Sequence, residues 1–203
     1  MTATGALPGT VDWSGEHPLI SLKETPDGDF VTLASFFRVV LSPHGRGHAL
    51  VLLQSPSDAH PPPESANFCF TDNPPLARYL INGYLAHFGA YKGLAGLVNL
   101  AFRPIDRVTT SGDAAATYRE TVEAGELTIQ LTWSKLGQPF AVMLPPDQSA
   151  TGCHHMPSVI VGASEARVTI NERRLPGYPV PRTFAGHAIT SAMLAFSETW
   201  VLA

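Results

Sequence analysis

Apolar side chains recur at every second position of the C-terminal segment, residues 190–203. The alternating row consists of Ala192, Leu194, Phe196, Trp200 and Leu202. Glu198 takes the one remaining place in the row, between Phe196 and Trp200. A period of two predicts a β-strand with one buried face. The carboxylate on that face must be paired, protonated or exposed to a cavity, because an isolated buried charge is costly.

Strand-like segments are the dominant local pattern in the chain. Besides the C-terminal segment they are residues 30–41, 47–54, 67–71, 116–123, 126–133, 139–144, 158–161 and 166–171. Segment 126–133 alternates most clearly, and Ala124-Gly125 in front of it is typical of a tight hairpin turn. The 18 prolines and 17 glycines suit strands joined by turns better than a helical protein.

One stretch has the spacing of an α-helix. Asp72 or Asn73 can cap its N-terminus, and Gly89 is a suitable end. Its apolar face consists of Leu76, Leu80, Tyr84 and His87. Many strands, short turns and one helix predict a mainly antiparallel β fold, a closed or strongly curved β-barrel with one main α-helix. The alternative is an open α+β sheet packed on the helix.

Length and composition indicate a single domain spanning residues 1–203, because a chain of 203 residues with 44% hydrophobic side chains can bury one sizeable core. We expect residues 1–10 to be loosely ordered. The formal net charge of −4 and the lack of a basic block argue against nucleic acid or an anionic membrane as a partner. No apolar run has transmembrane length and the N-terminus lacks a secretory pattern, which predicts a cytoplasmic protein.

Glu198 is the strongest candidate for chemistry. A carboxyl group held among apolar side chains can act as an acid or base near neutral pH. Arg38 can pair with Glu198 or hold a ligand carboxylate, and His187, in the turn before the C-terminal strand, can orient Glu198. The assignments of Glu198 and Arg38 each have an ordinary alternative. Glu198 pairs with an arginine or is exposed by strand twist, and the stem of Arg38 covers apolar surface while its guanidinium reaches water.

These residues suggest a small-molecule site in a β-barrel cavity, used by a cofactor-independent proton-transfer enzyme of the isomerase, cyclase or lyase type acting on a largely apolar substrate. The predicted ligand-binding residues are Phe36, Tyr84, Phe196 and Trp200. The chain has no GxGxxG, Walker A or GxSxG motif, so no cofactor is assigned. The first alternative is a non-catalytic binding or carrier protein of the same shape. An uncovered sheet edge or apolar face would also allow a homodimer.

A metal-dependent enzyme is the second alternative. Cys153, His154 and His155 are residue types that bind zinc or a related ion. Adjacent residues of a strand point to opposite sides, so the three converge only if they lie in a loop. The CxxC and HExxH patterns are absent, and we assign no metal site. Cys69 and Cys153 allow a single disulfide.

Overall fold

The computed structural model describes residues 6–203, so residues 1–5 of the N-terminal stretch expected to be loosely ordered lie outside the described residues. Strands account for 54% of the described residues. The first nine are β1 (Thr10–Glu16), β2 (Leu19–Lys23), β3 (Phe30–Leu41), β4 (Gly47–Leu53), β5 (Phe68–Thr71), β6 (Ala101–Pro104), β7 (Arg107–Gly112), β8 (Thr117–Ala124) and β9 (Leu127–Leu136). They are followed by β10 (Phe140–Leu144), β11 (His154–Ile170), β12 (Arg173–Arg174), β13 (Tyr178–Pro179), β14 (Pro181–Phe184), β15 (His187–Thr190), β16 (Ala192–Phe196) and β17 (Glu198–Leu202). The helical elements are α1 (Pro74–Gly83) and the short 3-10 helices η1 (Pro63–Ser65), η2 (Leu85–His87), η3 (Ala95–Leu97) and η4 (Pro146–Gln148).

Six strands form a ring of hydrogen-bonded neighbours. The order is β2–β16–β11–β17–β1–β3, and β3 pairs with β2 to complete the ring. The sheet also continues from β3 through β4 and β5 to β6, and the C-terminal half of β11 pairs with β9, which continues into β8 and β7. The mostly β fold with one helix agrees with the sequence prediction. The branched, mostly antiparallel sheet contains a hydrogen-bonded ring and fits the open α+β alternative, whereas the closed or strongly curved β-barrel is not shown.

The two faces of β3 are covered by different hydrophobic cores. Ala34 and Phe36 belong to a first core, which the β8–β9 hairpin completes from one side. Leu33 and Phe37 belong to a second core, which α1 completes from the other side. Because both faces are buried, apolar residues follow one another along β3 instead of alternating with polar ones.

Helix α1 begins where the sequence predicts. The Asn73 side chain accepts a hydrogen bond from the backbone N–H of Leu76 at 3.2 Å, and prolines occupy the first turn. The helix ends at Gly83 rather than at the predicted Gly89, because Tyr84 leaves helical geometry and the chain continues as η2. Within residues 6–203, no helix combines the length and the hydropathy that crossing a membrane requires.

The C-terminal segment forms two strands, not the single strand that its alternation predicts. Ser197 has a left-handed backbone conformation, with a φ of 52°, and it separates β16 from β17. As a consequence, Phe196 packs against the first core and Trp200 lies in the second. The break is hidden in the sequence because Ser197 falls at a position of the alternation where a polar residue is expected.

Candidate functional site

A cavity of about 570 Å³ lies against the ring strands β2, β11, β16 and β17. Residues 87–91, which follow α1, and residues 180–184 also contribute to its wall. Most lining side chains are apolar, among them Leu19, Ile160 and Met193. A cavity of this size with apolar walls and a few polar groups is the usual form of a small-molecule site.

Glu198 brings a buried carboxylate to the wall of this cavity. Its side chain is 5% exposed, and the indole N–H of Trp200 donates a hydrogen bond to Oε1 at 2.7 Å. The Nδ1 atom of His17 lies 3.3 Å from the same oxygen. The other oxygen, Oε2, makes no hydrogen bond with any residue in the described range 6–203. One oxygen of the carboxylate is therefore fixed while the other remains available.

The imidazole of His17, beside this carboxylate, is also buried and held by its neighbours. Its imidazole is 1% exposed and lies between the rings of Phe37 and Phe88, at centroid distances of 4.0 and 5.3 Å. The Nε2 atom makes a hydrogen bond of 2.5 Å with the hydroxyl of Ser35. Ser35 is fully buried and does not line the cavity, so it acts on the site through neighbouring side chains such as His17.

Strand pairing brings His17 and Glu198 together from the two ends of the chain. Gly15 of β1 pairs with Glu198 of β17, and the backbone N–H of His17 then donates to the carbonyl oxygen of Ala195 at 2.8 Å. The chain is tightly packed here, because a Cβ atom at Gly15 would collide with the carbonyl oxygen of Arg38. The break at Ser197 lets one short stretch of β1 contact both β16 and β17.

Tyr91, Lys23 and Arg182 are among the further polar side chains that line the cavity. The hydroxyl of Tyr91 is buried and has no hydrogen-bond partner within residues 6–203. Burial raises the pKa of Tyr91, and the nearby Ser35 hydroxyl acts in the opposite direction. Lys23 and Arg182 are more exposed, and their cationic groups lie over the rings of Phe30 and Phe184. Neither cation forms an ion pair with a residue of the described chain.

Arg38 does not contact Glu198 and does not line the cavity, contrary to the expectation from its sequence position. Its guanidinium binds both carboxylate oxygens of the fully buried Glu120, at 2.8 and 2.9 Å. It also pairs with Glu16 and donates to the hydroxyl of Thr110. The acidic partner comes from β8, so Arg38 ties the β7–β8 hairpin to the ring.

His187 likewise lies apart from Glu198. It is exposed, and its ring stacks on Phe140 with 3.9 Å between the centroids. It lines a separate pocket that does not include Glu198. The predicted dyad does not form because β15, which begins at His187, pairs with β14 before the chain enters β16. His17 occupies the position beside Glu198 instead.

Of the four predicted ligand-binding residues, Trp200 lines the cavity and the other three do not. Phe36 is buried in the first core. Phe196 is half-buried and packs against that same core, because the break at Ser197 separates it from Trp200. Tyr84 is buried in the second core, where its hydroxyl donates to Asp12 at 2.7 Å.

The cysteine and histidine cluster at the start of β11 does not converge on one point. Within residues 6–203 no group of three or more candidate ligand side chains could hold a metal ion. His154 is buried with both ring nitrogens in contact with other side chains, including Asp12, while the next residue, His155, falls on the other side of the strand. Cys69 is buried, Cys153 is exposed, and both are free thiols, so the disulfide allowed by the sequence is not formed.

Comparisons with protein-family models, with curated proteins and with solved structures find no match for this chain.

Sequence reasoning missed His17, Tyr91, Lys23 and Arg182. The alternation of polar and apolar residues in β1 covers only residues 10–14, and β2 has none, so the stretch that holds His17 carries a weak strand signal. One signal was available for Tyr91, because it lies in the glycine-rich stretch that follows the predicted helix.

Proposed function

We propose that this protein binds a small, largely apolar molecule in the cavity and transfers a proton on it without an organic cofactor, as in an isomerisation, cyclisation or elimination. The observation that carries the proposal is the difference in contacts between the two carboxylate oxygens of Glu198. One carboxylate oxygen is held by Trp200 and contacts His17, while the other has no hydrogen-bond partner within the described residues. A carboxylate oriented through one oxygen keeps the second for exchanging a proton with a ligand.

His17 supports Glu198 in either protonation state. A protonated imidazole stabilises the carboxylate, and a neutral imidazole tolerates a protonated carboxyl group beside it. Ser35 fixes the ring by its hydrogen bond to Nε2. Because Ser35 lies outside the cavity wall, it is a positioning residue and not a nucleophile. Glu198 is the proposed catalytic acid or base.

The lining also supports a class of ligand, an apolar molecule that carries an anionic group. Apolar side chains line most of the wall, and Lys23 and Arg182 add two cations without ion-pair partners in residues 6–203. A carboxylate or phosphate on the ligand would supply the missing counter-charge.

A non-catalytic carrier is the second candidate, and the same cations favour it. Lys23 and Arg182 can anchor an anionic, apolar ligand without any contribution from Glu198. In a carrier, the buried carboxylate of Glu198 would only hold the side-chain rings of Trp200 and His17 in position. The two functions therefore predict similar binding and differ in whether the bound molecule is changed.

Product analysis with a panel of medium-chain oxo-carboxylates tests the proposal. These compounds combine an apolar chain, an anionic group and a C–H bond acidified by a carbonyl group. Binding is measured by titration calorimetry, and products are separated by liquid chromatography. Two variants serve as controls: Glu198→Gln keeps the shape of the side chain and removes its acid–base function, and Ala90→Trp fills the cavity from its wall.

An enzyme should bind and convert at least one compound, and Glu198→Gln should bind that compound with conversion reduced at least about a hundred-fold. Binding by the wild type without conversion of any compound would favour the carrier. Loss of binding in Ala90→Trp locates the ligand in the cavity. If Ala90→Trp binds every compound as the wild type does, the ligand lies elsewhere and the proposal is wrong.

A further inference from the structure

A second group of reactive side chains lies at the start of β11, outside the cavity lining. The Sγ atom of Cys153 is 3.3 Å from Nδ1 of His154, and Nε2 of His154 is 2.7 Å from Oδ2 of Asp12. The thiol is exposed, whereas the imidazole is buried. A thiol, an imidazole and a carboxylate in this order can activate the sulfur as a nucleophile.

The position of the proton on His154 follows from its partners. Burial acts to raise the pKa of the Asp12 carboxyl group, but hydrogen bonds from His154 and Tyr84 outweigh it and hold that pKa below its usual value. An ionised carboxylate can only accept hydrogen bonds, so Nε2 of His154 carries a hydrogen atom. The Nδ1 atom is then the basic nitrogen, and it faces the thiol of Cys153.

From this geometry we infer that Cys153 is a nucleophilic thiol, activated by His154 and Asp12, that exchanges with small disulfides. His154 takes the thiol proton at Nδ1, and the Cys153 thiolate attacks one sulfur of the disulfide. A new sulfur–sulfur bond forms as the original one breaks. The departing thiolate takes the proton from His154, so one thiol and one disulfide give one thiol and one mixed disulfide, with no other reactant.

The groups that face His154 are consistent with this role. Asp12 contacts it from β1, Tyr84 contacts it from the end of α1 and is hydrogen-bonded to Tyr79, and the indole of Trp200 contacts it from β17. The hydroxyl of Thr151 lies 2.8 Å from Nδ1. A hydroxyl group can donate to the neutral ring and accept from the protonated one, so Thr151 accommodates both states.

The second cysteine provides an internal control. Cys69 is fully buried in an apolar strand, and burial raises its pKa to about 12. A thiol in that environment does not react. The folded protein should therefore expose one reactive thiol, at Cys153, and the unfolded chain should expose two.

The test is the rate at which the folded protein reacts with dithionitrobenzoate, an aromatic disulfide that releases a coloured thiolate. The wild type should release one thiolate per chain and Cys153→Ser none. At about pH 6, at which an unassisted thiol has lost most of its reactivity, His154→Gln and Asp12→Asn should react at least about ten-fold more slowly than the wild type. Thr151→Val, which leaves Nδ1 free for the thiol, should keep or increase the rate.

The pH profile decides between activation and mere exposure. An activated thiol keeps its rate between about pH 8 and pH 6, whereas the rate of an unassisted thiol falls about ten-fold for each pH unit below its pKa. Circular dichroism confirms that each variant is folded, and Asp12→Asn keeps the side-chain shape if His154→Gln does not fold. Folded His154→Gln and Asp12→Asn variants that both react as fast as the wild type at about pH 6 would overturn the inference.

Discussion

The Nδ1 atom of His17 lies 3.3 Å from the Oε1 atom of Glu198, although the two residues come from opposite ends of the chain. Both side chains are almost completely buried, and both belong to the wall of a largely apolar cavity. The carboxylate is bound by Trp200 on one oxygen only. This pair is the feature from which the proposed proton-transfer function follows.

Replacing Glu198 should show how much of its role is structural. Glu198→Leu leaves the indole N–H of Trp200 and Nδ1 of His17 without a buried partner, which should lower the free energy of unfolding by about 2–4 kcal/mol. Glu198→Gln retains an oxygen that can accept from Trp200, so its loss should be about 1 kcal/mol. Urea denaturation measures both values. Equal losses in the two variants would mean that the hydrogen bond to Trp200 contributes nothing.

We expect Arg38 to stabilise the folded protein and to have no effect on ligand binding in the cavity. Arg38→Leu leaves the buried Glu120 carboxylate unpaired, and breaking a buried ion pair in this way costs about 3–5 kcal/mol. Arg107 pairs with Glu123 on the surface, where water screens the interaction, so Arg107→Leu should leave the free energy of unfolding nearly unchanged and serves as the matched control. Folded Arg38→Leu should bind cavity ligands as the wild type does. Similar unfolding free energies for the two variants would contradict the role assigned to Arg38.

The break at Ser197 predicts opposite effects for two substitutions. A left-handed conformation costs an L-residue about 1–2 kcal/mol, and glycine avoids that cost while losing more freedom on folding. Ser197→Gly should therefore raise the free energy of unfolding slightly, by about 0.5 kcal/mol. Ser197→Val should lower it by at least about 1 kcal/mol, because a β-branched side chain disfavours this conformation. If thermal unfolding shows that Ser197→Val is as stable as the wild type, this result would argue against a left-handed conformation at residue 197.

Asp12 predicts a pH dependence of stability. Its pKa in the folded protein is held below the usual value of 3.8, so the unfolded chain binds its proton more readily than the folded protein does. The resulting stabilisation is complete well above the usual pKa and is lost as the pH falls through the lowered one. The stability advantage of the wild type over Asp12→Asn should thus shrink as the solution is acidified. If the stability advantage of the wild type instead grew on acidification, the contacts of Asp12 in the folded protein would not favour its ionised form.

The sequence predicts the elements whose signals are local. Segment 30–41 coincides with β3, and Asn73 caps α1 as its residue type suggests. Both signals lie within a few neighbouring residues, in an apolar run or a capping side chain followed by prolines. The branching of the sheet and the end of α1 depend on packing between distant segments, which local patterns do not contain.

Local sequence patterns also predict only part of the candidate site. The alternation around Glu198 correctly indicates a buried carboxylate next to Trp200, but nothing local identifies its partner. That partner is His17 because Gly15 pairs with Glu198 across two terminal strands. The left-handed backbone conformation of Ser197 adds a break between β16 and β17 that the alternating sequence pattern cannot reveal. Strand register and backbone conformation together decide which side chains come into contact.

The most direct test of the central claim is hydrogen–deuterium exchange at the acidified C–H bond of bound oxo-carboxylates in D₂O, followed by mass spectrometry. Proton transfer by Glu198 predicts that the wild type catalyses exchange into at least one compound that it binds. In Glu198→Gln the exchange should fall at least about a hundred-fold while binding persists, and His17→Gln should show a smaller loss. Exchange at the wild-type rate in folded Glu198→Gln would contradict the claim that Glu198 carries the proton.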